Sequence, residues 1–164
     1  MEKNETKDTK QTIKTFVEAC NALGDKHPFV LQWAAIESAF CDDKDANDIR
    51  AYLKLRIVVA ALNDGWKPQY SVNEFRYIPW FYIYSKEEWE KLDDDKKKRG
   101  RMFGGRAYHY GTVFGGMSCI GADISSANTY GYHPTVFAFK DQDTAYYCGT
   151  QFIDLWRDYV VSCM

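Results

Sequence analysis

Cys119 lies within GGMSCIG, residues 115 to 121, a glycine-flanked stretch of the kind that can expose a nucleophile, and His109 and His133 are the histidines that could serve it as base. No signature of a cysteine enzyme accompanies them. A free cysteine is among the most buried residue types, so ordinary packing is the favoured reading of Cys119. A small cysteine-dependent hydrolase or transferase stands as the alternative. The chain has three histidines, with no HxH, HExxH or carboxylate pair at ligand spacing, so no metal site is expected. GxGxxG and GxxxxGK[ST] are also missing, and no cofactor is expected.

The chemistry that remains is recognition by aromatic rings. The chain holds 12 Tyr, 10 Phe and 5 Trp, enough to supply both a core and a contact surface. Tyrosine separates the two uses, because its hydroxyl needs water or a partner. Tyr108, His109 and Tyr110 in RAYHYG, with Tyr130 and Tyr132 in TYGYHP, are therefore the expected surface residues, joined by Arg101 and Arg106. Such a surface suits a protein partner. Stacking on single-stranded nucleic acid, worth about 1–3 kcal/mol per base, is its nearest variant.

These residues need a scaffold. Residues 1 to 11 are too polar to order themselves and read as a flexible tail ahead of one domain, 12 to 164. Thr15 and Glu18 form a capping-box pattern at the start of a helix that ends at Gly24. PFVLQWAAIESAF, residues 28 to 40, opens with a proline suited to a first helical turn, and its apolar residues on several faces predict a buried helix. A third helix, Ile49 to Asn63, capped by Asn47 or Asp48, is apolar around more than half its circumference and reads as the central one.

RYIPWFYIYS, residues 76 to 85, reads as a strand that Pro79 confines to an edge, a start or a bulge. Both of its faces are apolar, which predicts burial from both sides and an inaccessible Trp80. KEEWEKLDDDKKKRGR, residues 86 to 101, reads as a solvated loop or short exposed helix. Seven of the eleven glycines fall between Gly100 and Gly121, predicting two hairpin strands with glycine bulges. TVFAFK, residues 135 to 140, reads as a further strand, and Asp141 or Asp143 caps a closing helix with Ala145, Gly149, Phe152, Ile153, Trp156 and Val160 on one stripe. Contiguous strands joined by short turns predict an α+β fold, a small antiparallel sheet with helices packed on one face.

A net charge of -2 excludes a globally basic nucleic-acid binder. Five scattered cysteines indicate reduced thiols rather than a disulfide framework. With no apolar leader and no apolar run long enough to span a bilayer, the expected setting is the cytoplasm, with no membrane partner.

Three segments carry a resemblance: ALNDGWKP at 61 to 68, RYIPWF at 76 to 81 and FKDQDTAYYCGTQFIDLW at 139 to 156. In this order they resemble small uncharacterised proteins encoded by phages, including crAss-like phages, and by prophage regions of gut Bacteroidota. In that family a helix ending in ALNxGWxP leads to a YxPWF strand, and a strand ending in FK precedes a helix with GxQF. The likeness spans roughly residues 50 to 160 and departs at 86 to 105 and 25 to 45. It implies a phage-associated accessory protein in a bacterial host and transfers no catalytic residue. The sequence thus favours a non-enzymatic protein-binding module over an enzyme, with a virion component as a further alternative.

Overall fold

The computed structural model describes residues 9–40, 46–69, 74–107, 111–125 and 135–162. Among these, helices α1 (Thr9–Thr12), α2 (Phe16–Leu23), α3 (Pro28–Ile36) and α4 (Asn47–Leu62) precede strand β1 (Arg76–Ser85). Two short helices, α5 (Lys86–Glu90) and α6 (Asp94–Lys98), lead into the hairpin of β2 (Gly100–Ala107) and β3 (Gly111–Ser125), and α7 (Gln142–Gln151) and α8 (Ile153–Ser162) close the chain. The strands form one antiparallel sheet in the order β1-β3-β2. The fold is α+β, as the order of elements predicts.

Local chemistry sets most boundaries. Thr15 accepts from the Glu18 N–H while Glu18 reaches back to the Thr15 N–H, a complete capping box, and Gly24 leaves α2 at φ 82°. Pro28 occupies the first turn of α3, where a missing N–H costs nothing. Asp141 caps α7 by accepting from the Thr144 N–H at 2.7 Å. The stripe expected in one closing helix is divided between α7 and α8, which meet at Phe152.

Several expectations need correction. Helix α1 lies partly within the expected tail, where the Thr9 hydroxyl donates to the Leu62 carbonyl at 3.1 Å. Helix α3 buries Trp33 alone, because only one of its faces meets α2 and α4. Helix α4 begins after Ala46 with no side-chain cap, so Asn47 and Asp48 are first-turn residues instead. TVFAFK is not a strand: Thr135–Phe137 is a 3-10 turn, and Phe139 makes one isolated bridge to Tyr77 through bonds of 2.8 and 3.0 Å. The irregularity in the sheet falls at Trp80/Phe81 opposite β3, not at the FGG glycines.

The core lies between the helices and one face of the sheet. Leu55, Ile57, Val58 and Leu62 of α4 are fully buried, confirming it as the central helix. Phe81, Phe137, Trp156 and Tyr159 form an aromatic cluster with ring centroids 5.2–6.4 Å apart, mostly edge to face, the arrangement that ring quadrupoles favour. Much of the aromatic content therefore serves packing.

The end of α4 and the segment Ala138–Lys140 are joined by Asn63. This buried side chain donates to the Ala138 carbonyl at 2.9 Å and accepts from the Lys140 N–H at 3.4 Å. It substitutes for the strand ladder that residues 135 to 140 lack.

Candidate binding face

The face each strand residue takes follows from its contacts. On β1, Pro79 lies against Gly149 of α7 and the Phe81 ring lies 5.2 Å from Trp156 of α8, so both point toward the helices. On β3, Cys119 also meets Gly149, and on β2, Arg101 bonds Asp154 of α8 at 3.2 Å. Alternation then turns Trp80, Tyr82, Ser118 and Met102 to the opposite face. Ile120, the extra β3 residue between the partners of Trp80 and Phe81, joins them.

That opposite face is covered in two places, at the start of β1, where Arg76 and Ile78 are buried, and at its far end. Trp89 of α5 is buried over Gly100 and Gly116, where an added Cβ would stand 2.7 Å and 1.9 Å from its ring, respectively. Glycine is required there because the indole occupies the space a side chain would take. Tyr84 packs beside Trp89 with centroids 6.0 Å apart and accepts from the Ser118 hydroxyl at 3.3 Å. Around this plug Trp80 is 42 % exposed, Tyr82 47 %, Met102 51 % and Ile120 49 %. Burial of β1 from both sides therefore holds at Arg76 and Ile78 and is overturned at Trp80 and Tyr82. The helices supply enough apolar stripe for one face of the sheet, and the five-residue α5 is too short to cover the other.

Arg101 is on the helix face, half exposed and paired with Asp154, which Arg157 also contacts at 3.2 Å. Arg106 belongs to β2 by its backbone. Tyr108, His109, Tyr110, Tyr130 and Tyr132 lie outside the described residues, as does His133. The structure thus describes neither the tyrosine cluster nor its approach to the arginines. Sequence reasoning missed the four exposed residues of the sheet. The available signal was the small residues Gly100, Gly116 and Ser118, all on the side that has no helical stripe to meet.

Cys119 is buried and its thiol donates to the Gly121 carbonyl at 3.3 Å; burial pushes its pKa up to about 11, only partly opposed by the backbone of Gly121 and Trp80. Cys148, fully buried beside Trp156, is raised further for the same reason. A nucleophilic cysteine needs the opposite environment, one that favours thiolate. Among the described residues no group of three or more His, Cys, Asp or Glu side chains could hold a metal ion, and no helix is long and apolar enough to cross a membrane.

No protein-family model matches the chain, and no curated protein or solved structure shows significant similarity to it.

Proposed function

We propose that this chain is a non-enzymatic binding protein that engages a protein partner through the open face of its sheet. The single observation that carries this reading is the exposure of Trp80, Tyr82, Met102 and Ile120 on the same side of the sheet. At about 200 Å² per large side chain, four half-exposed groups offer on the order of 400 Å². Apolar patches of that size on small domains are commonly functional. The motif resemblance adds the setting, a phage or prophage accessory protein in the cytoplasm of a bacterial host.

Single-stranded nucleic acid is the weaker ligand for this face. Its rings are available for stacking, but Arg101 is turned to the other side of the sheet and engaged by Asp154. An affinity capture from lysogenic or infected cells, run in parallel with the wild-type chain and Ile120→Asp, tests the proposal. A partner retained by the wild type and lost with Ile120→Asp is the expected result. Equal retention by both chains contradicts it, and salt-sensitive binding of a labelled oligonucleotide by the wild type alone would transfer the face to nucleic acid.

A further inference from the structure

The two outer edges of the sheet are protected unequally. On β1, Pro79 offers no N–H, and Tyr77 exchanges both of its backbone bonds with Phe139. Strand β2 has neither protection. It runs for eight residues in unbroken register with β3, contains no proline, and has no strand on its outer side among the described residues. Exposed edges of this length are normally blunted, because their unpaired N–H and C=O groups template another strand.

Resting on the reading of the chain as a protein-binding module, we propose that β2 receives an extended segment of the partner as a fourth strand. Main-chain bonds along Met102–Ala107 would supply affinity, and alternate side chains of the segment would flank Met102 on the open face. Gly104 and Gly105 leave lateral room for large partner residues.

The chemistry of the segment follows from the charge at this edge. Residues 96–101 carry Lys96, Lys97, Lys98, Arg99 and Arg101 with no acid among them, and β2 itself contains no carboxylate. Asp93 and Asp95 neutralise Lys96 and Lys98 in part, at 3.2 and 3.4 Å, and Asp154 engages Arg101. A segment with apolar residues at every second position and carboxylates toward the Gly100 end is complementary to this edge. A second copy of β2 is a poor occupant. Antiparallel self-pairing centred on Phe103 sets Met102 against Gly104 and Arg101 against Gly105, leaving few cross-strand side-chain pairs and no acid for the basic end.

The test is selection of peptides from a random twelve-residue library on the immobilised full chain, followed by affinity measurements on the enriched sequences. Enriched peptides should be free of proline, alternate in polarity and contain excess Asp and Glu. Gly104→Pro and Gly105→Pro then probe the edge, since successive residues direct their N–H groups to opposite sides of a strand. One variant loses a bond to β3 and melts at lower temperature. The other loses only an outward N–H, keeps the fold, and should weaken the selected peptides by about tenfold or more. Failure to enrich such peptides, or unchanged binding by the outward variant, overturns strand addition. If Ile120→Asp still abolishes capture of the cellular partner, the open-face reading survives that failure; if it does not, both are lost.

Discussion

Gly149 and Cys119 touch across the interface between α7 and the sheet, so closely that a Cβ on Gly149 would lie 2.5 Å from the Cys119 sulfur and 2.8 Å from the Pro79 Cβ. The glycine of the GxQF segment is therefore a spacing residue. It sets how near the closing helices come to β1 and β3, and with that which side of the sheet is filled.

Gly149→Ala should reverse the usual sign of such a change. Alanine in a helix interior ordinarily gains up to about 1 kcal/mol over glycine. Here overpacking against Cys119 and Pro79 should cost about 1–3 kcal/mol. Urea unfolding followed by tryptophan fluorescence checks this, and a midpoint at or above that of the wild type contradicts the contact.

Asn63→Ala removes both bonds that hold the Ala138–Lys140 segment to the end of α4. Leaving the Ala138 carbonyl without its donor should cost about 1–3 kcal/mol. Hydrogen exchange should localise the loss to the Phe139 and Tyr77 amides, which bond each other's carbonyls. Unchanged protection of those two amides would count against the role given to Asn63.

Cys119 should be slow to react in the folded chain at pH 8 and rapid once the chain is unfolded, measured by alkylation and mass spectrometry. Its folded pKa is raised from 9.0 to about 11, so the native state holds its proton where the unfolded chain has released it. That contribution to stability is complete below pH 9 and is lost as pH rises toward about 11. The alkaline fall in stability, on the order of 2 kcal/mol from this group, should be smaller in Cys119→Ala. An identical alkaline profile in the variant contradicts the assignment.

The elements that sequence disclosed best are those specified by local chemistry. The Thr15–Glu18 box, Pro28 at the start of α3 and Asp141 before α7 each act within four residues, and β1 spans the ten residues its composition indicates. What escaped depends on distant partners. TVFAFK has strand composition but no neighbouring strand beyond the Tyr77 bridge, and Asn63 takes over its bonding from 75 residues away. The exposure of Trp80 and Tyr82 on β1 depends on distant partners in the same way. Alternation separates the two sides of β1 but does not say that one meets the long helices and the other only the short α5.

Met102 and Met117 offer an internal comparison on opposite faces of one sheet, 51 % and 0 % exposed. Sulfoxide formation follows exposure, so brief peroxide treatment of the isolated chain with peptide mapping reads the open face directly. Met102 should oxidise well ahead of Met117, and a bound partner should protect Met102. Equal protection of the two methionines in the free monomer would show the face to be covered already, and would contradict the binding role given to it.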